Sequence, residues 1–108
     1  MPVPQRFDSD QRHFTVRDAI LAAQSDLYWE NLGEFETACG ILLNSEARKV
    51  VLDLSAASFI SSEFIGGIGK FVIEAVQNRK QIVIRVTCDA SWIFEVMGSQ
   101  GLFELEIV

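Results

Sequence analysis

Between residues 31 and 108 the chain alternates two hydrophobic periods, and few folds accommodate that. Three short runs are rich in β-branched aliphatic residues: 48–54 with Val50-Val51-Leu52, 81–86 with Ile82-Val83-Ile84, and 102–108 with Leu105, Ile107 and Val108. Before each lies a segment with apolar residues at helical spacing. The order is αβαβαβ. Strands separated by helices pair in parallel through right-handed crossovers, so the pattern predicts an α/β domain on a mainly parallel sheet. The consecutive aliphatics at 50–52 read as a central strand covered on both faces.

In the first helical segment, residues 31–43, the apolar set is Leu32, Phe35, Ala38, Cys39, Leu42 and Leu43, one face of a 3.6-residue repeat. Glu30, Glu34 and Glu36 lie in or near its first turns, where carboxylates suit the positive end of the helix dipole. The second helix is expected over residues 62–78, with Ile65, Ile68, Val72, Ala75 and Val76 as its buried stripe. The third is short: Asp89 is its expected cap, Trp92, Ile93, Val96 and Met97 its apolar residues, and Gly98 its stop. Residues 13–16 alternate as an edge strand. Residues 18–24 are alanine-rich and ambiguous, with periodicity slightly favouring helix. Residues 1–11 read as a flexible arm with a short strand near Phe7, leaving 12–108 as one domain.

Composition excludes several functions. The chain of 108 residues has a net charge of −6 and lacks a dense basic patch, which argues against nucleic-acid binding and against docking on an anionic membrane. No apolar run approaches the roughly 18–20 residues needed to span a bilayer, so direct membrane insertion is not expected. Cys39 and Cys88 lack metal-ligand spacing and read as two reduced core residues; with no visible secretory signal, a cytoplasmic protein is expected. Neither a metal nor another cofactor is implied.

Catalytic patterns are weak. His13 is the only histidine, and Ile60-Ser61-Ser62-Glu63-Phe64 has neither glycine of a nucleophile elbow. Gly66-Gly67-Ile68-Gly69-Lys70 fails as a phosphate loop: Phe64 and Phe71 stand where a glycine and a hydroxyl are required. Its glycines fit either close packing of the helix against the sheet or a bare surface for a partner. The pairs Glu34/Glu36 and Glu104/Glu106 read as solvated faces. The chain is therefore not expected to be an enzyme. Tyr28 and Trp29, at the entry to the first helix, are candidates for a protein-binding patch or a cap over the sheet edge.

Ser61-Ser62 opens the second helix. One serine suffices as an N-cap. A second hydroxyl on the first turn would carry a phosphate that the helix N-terminus holds rather than rejects.

Around this strand–turn–helix the sequence resembles the STAS family, the sulphate transporter and anti-sigma factor antagonist domain. The carrying residues are Val50-Val51-Leu52-Asp53-Leu54-Ser55, Phe59-Ile60-Ser61-Ser62 and Ile65-Gly66. Ser25-Asp26-Leu27 stands where members have Gly-Glu-Leu, and residues 90–103, with Phe94, Met97 and Gly101-Leu102-Phe103, resemble the third helix and its exit. The resemblance spans about residues 12–108. It implies a four- to five-stranded mixed sheet with helices packed mainly on one face, and makes 18–24 a strand.

The resemblance also implies an anti-sigma factor antagonist-like regulator of transcription or signalling. Ser62 matches the phosphorylated serine, with Ser61 as cap or secondary acceptor. The implied partners are an anti-sigma factor with serine-kinase activity and a PP2C-type phosphatase. Docking is expected on Ser58, Phe59, Ser61, Ser62, Glu63 and Phe64, with Tyr28 and Trp29, in a monomer or weak homodimer. Two positions depart from the family: Ser61 replaces an aspartate before the phosphoserine, and Phe64 replaces a glycine after it. A constitutive, unphosphorylated binder therefore stays open. So do a STAS subunit of a membrane transport complex with an ATP-binding-cassette ATPase, and a nucleotide or small-molecule sensor.

Overall fold

The computed structural model describes residues 13–98 and 101–108, with side chains of 96–98 excepted. The strand expected near Phe7 and the Val96 and Met97 side chains lie outside that description. The strands are β1 (Phe14–Arg17), β2 (Ile20–Ala23), β3 (Lys49–Asp53), β4 (Gln81–Val86) and β5 (Glu104–Ile107). The helices are α1 (Leu32–Leu43), α2 (Ser62–Gln77) and α3 (Ser91–Gly98), with 3-10 turns at Trp29–Asn31 and Cys88–Ala90.

The strands form one sheet in the order β1-β2-β3-β4-β5. β1 and β2 are antiparallel; β2, β3, β4 and β5 are parallel. Each crossover steps to the next strand in the same direction. Crossovers of one hand stepping one way put their helices on one face. The core shows it: Leu21, Ala23, Val50, Leu52, Ile82, Ile84 and Val86 join Phe35, Ile68 and Phe94 from the three helices. Of the alternate strand positions, Val51, Asp53 and Arg85 are only half-buried, while Val83 on β4 is buried but outside that cluster. The expectation that β3 is covered on both faces is thus corrected: Val50 and Leu52 are buried, and Val51 is only half-buried.

The ambiguous stretch is a strand. Its alternation is half-buried, buried, half-buried, buried over Ile20–Ala23. A segment this short cannot offset helix nucleation, whereas β1 and β3 pair with it on both edges. Asp18 and Ala19 make the hairpin turn at φ of 55° and 64°. Both central residues are left-handed, as in a type I′ turn, without the asparagine and glycine that usually announce one.

α2 begins where the sequence places it and ends one residue earlier, with Asn78 as its C-cap, but its buried stripe is rotated. Phe64, Ile68, Phe71, Val72 and Ala75 are buried, while Ile65 is half-buried and Val76 exposed. The two phenylalanines, seven residues apart, set the face. Phe64 meets Phe14 and Phe35 at ring-centroid distances of 5.9 and 5.0 Å, tying α2 to β1 and α1. Gly67 allows close approach to α1 rather than to the sheet: a Cβ there would lie 2.8 Å from Leu32 Cδ1, whereas at Gly66 it would meet open space.

Other expectations are corrected. Glu34 is not solvated; its carboxylate contacts His13 Nδ1 at 2.9 Å and accepts from the Phe14 amide at 3.1 Å, joining α1 to β1. Cys39 is buried, and burial pushes its thiol pKa well up, but Cys88 is exposed in a 3-10 turn and is no core residue. Asp89 lies within that turn instead of capping α3, and the Ser91 hydroxyl donates to the Cys88 carbonyl there. Trp92 is exposed.

Candidate functional site

The parallel strands β2 and β3 deliver two loops to the same end of the sheet, and both loops feed helices. The first, residues 24–28, leads through the 3-10 turn into α1; the second, residues 54–61, leads into α2. Their backbones stay paired beyond the strands. The Leu27 amide donates to the Phe59 carbonyl at 2.8 Å, and the Ser61 amide donates to the Leu27 carbonyl at 2.9 Å. Leu27 and Ile60, at this bridge, are buried beneath it.

Asp26 locks the second loop. Its Oδ1 accepts from the Ser58 amide at 2.7 Å and the Phe59 amide at 3.2 Å. A carboxylate accepting two backbone amides makes charge-assisted bonds, stronger than neutral ones. At the base of the loop, Asp53 Oδ1 accepts from both the amide and the hydroxyl of Ser55, at 3.0 and 2.6 Å. In the sequence Asp26 stands out only through the family pattern. Its partner amides lie more than thirty positions away, and no local pattern could have announced them.

The two serines of α2 take different roles. Ser61 is the N-cap, with extended backbone (φ −70°, ψ 160°), and its Oγ accepts from the Phe64 amide at 3.3 Å. It is buried. Ser62 is the first helical residue and is exposed. It belongs to the first turn, whose amides have no acceptor within the helix. Glu63 follows, also exposed.

Of the residues expected at a docking surface, Ser58, Phe59, Ser62, Glu63, Tyr28 and Trp29 are exposed and lie on these paired loops or the helix starts they lead into. Two are corrected. Phe64 is fully buried in the aromatic cluster with Phe14 and Phe35, so it cannot offer an apolar contact. Ser61 is buried and engaged in the cap, which removes it as a contact. The Tyr28 and Phe59 rings, one from each loop, lie 5.2 Å apart and remain exposed at one end of the domain. Among the described residues there is no cluster of three or more metal-ligating side chains, and no helix long and apolar enough to cross a membrane.

No protein-family model and no curated protein matches the sequence. Among solved structures, a Thermotoga maritima protein described as a "putative anti-sigma factor antagonist" is similar, with a TM-score of 0.69, 16% identity, and coverage of 89% of this chain and 88% of that one. The chain has a STAS-like fold. The five-stranded mixed sheet with helices on one face is the architecture that the sequence resemblance implies. At this identity the likeness speaks for the fold, and the site's chemistry rests on the chain's own residues.

Proposed function

We propose that this domain is a regulatory protein-binding module of the anti-sigma factor antagonist kind, switched by phosphorylation of Ser62. The observation that carries the reading is the division of labour between two adjacent serines. Ser61 caps α2 through the Phe64 amide, and the exposed Ser62 hydroxyl makes no hydrogen bond among the described residues. A phosphate on Ser62 adds about two negative charges where the helix N-terminus favours them. Docking changes while the fold persists. The partner is an anti-sigma factor with serine-kinase activity, the phosphate is removed by a PP2C-type phosphatase, and the setting is the cytoplasm. The contact surface comprises Ser58, Phe59, Ser62 and Glu63 with Tyr28 and Trp29.

The test is incubation with an anti-sigma factor serine kinase and ATP, followed by mapping of phosphate by mass spectrometry. The expected result is one phosphate on Ser62, lost in Ser62→Ala. Phosphate on neither Ser62 nor Ser61 removes the switch. Exposure of Tyr28, Trp29 and Phe59 supports a second reading, in which the same end binds an ATP-binding-cassette ATPase without modification; a pull-down dominated by such an ATPase would favour it.

A further inference from the structure

The docking end of the molecule carries a chemical bias that narrows its partner. Tyr28, Trp29 and Phe59 are 47%, 65% and 48% exposed, an unusual concentration of aromatic surface for two short loops. The rings are not on loose chain. The Leu27–Ile60 bridge and the Asp26 carboxylate fix both loops, and Tyr28 packs on Phe59. A pre-ordered aromatic surface loses little entropy on binding. The carboxylates of the two loops and the helix starts supply its charge. Residues 24–31 and 54–63 include Asp26, Glu30 and Glu63 and contain no lysine or arginine. Tyr28, Asp26 and Glu30 line one open depression together with His13, whose ring is held by the Glu34 carboxylate.

We propose that this patch binds a protein surface presenting arginine side chains beside aliphatic ones. Arginine matches both halves of the patch: its guanidinium stacks on exposed aromatic faces and pairs with carboxylates, and its stem covers apolar area. An acidic partner would meet like charge on desolvated ground, which disfavours it. The inference rests on the reading of this end as the docking surface, and names what docks there.

Trp29 reports the contact once the other exposed tryptophan is removed by Trp92→Phe. The probes are a hexapeptide alternating arginine and leucine and its counterpart alternating glutamate and leucine. In the Trp92→Phe protein the arginine peptide is expected to change Trp29 emission saturably, and binding should weaken at least fivefold when salt rises from about 50 to about 300 mM, as screening requires. The glutamate peptide should leave the emission unchanged. Glu30→Lys should reverse the preference. Glu95→Lys, the same charge change on α3, which packs on β5 at the far edge of the sheet, should not. Equal response to the two peptides, no response to either, or equal effects of the two reversals overturns the proposal. The assay contains no kinase, so its failure leaves the Ser62 switch standing, and a Ser62 that takes no phosphate leaves the peptide result standing.

Discussion

Two residues at opposite ends of α2 show how single side chains set the helix boundaries. At the start, Ser61→Ala removes the oxygen that accepts the Phe64 amide. Loss of a serine N-cap costs about 1 kcal/mol, whereas Ser62→Ala, exposed and without a cap bond, should fall within about 0.5 kcal/mol of the parent. At the far end Arg79 is held at φ 60°. Its amide donates to the Val76 carbonyl at 2.9 Å, and the Lys80 amide donates to the Ala75 carbonyl at 2.9 Å, the paired bonds of a Schellman motif around the Asn78 C-cap. Glycine adopts that conformation without the Cβ penalty. Since Arg79 is exposed, Arg79→Gly should stabilise the domain by about 0.5–1 kcal/mol. Urea denaturation of the three variants checks the order: Arg79→Gly above the parent, Ser62→Ala level with it, Ser61→Ala below.

At the scale of elements, the site depends on a contact between loops that follow different strands. Asp26→Ala leaves the Ser58 and Phe59 amides without their acceptor, a loss of about 1–3 kcal/mol for bonds to a charged group. Asp26→Asn keeps an acceptor oxygen and should recover most of it. Hydrogen exchange at Ser58 and Phe59 should accelerate in Asp26→Ala and stay near parental in Asp26→Asn; parental exchange in both would refute the latch. This latch also marks where sequence reading ends. β4 was legible to the residue, because Gln81–Val86 is an aliphatic run bounded by charge and turn. α2 was legible in position because serines and glutamate announce its start. Its rotation was not: aliphatic spacing drew the stripe through Val76, and the bulk of Phe64 and Phe71, packing against neighbours distant in sequence, turned it. β2 needed the family resemblance, since alanines carry little strand signal and the pairing that makes them a strand comes from β1 and β3. Asp26 was visible as a residue but not as a latch, because the hydrogen bond spans more than thirty positions.

For the whole molecule, the question is whether charge added at Ser62 acts on the fold or only on the surface. The parent carries a net charge of −6, so any further negative charge adds to general self-repulsion. The macrodipole of α2 acts differently at its two ends, favouring a carboxylate at Ser62 and opposing one at Gln77, by about 0.3–1 kcal/mol each. Ser62→Glu and Gln77→Glu place the same charge on exposed residues at the two ends of one helix. Net charge is equal in the two variants, so repulsion from the rest of the molecule largely cancels in their comparison. Ser62→Glu should melt above Gln77→Glu by several degrees, since about 1 kcal/mol moves the midpoint of a domain this size by roughly 4–8 °C. The gap should shrink in high salt, because the dipole interaction is screened. Equal melting temperatures would mean that the helix N-terminus does not hold added charge, and a phosphate on Ser62 would then act against the fold as well as on docking.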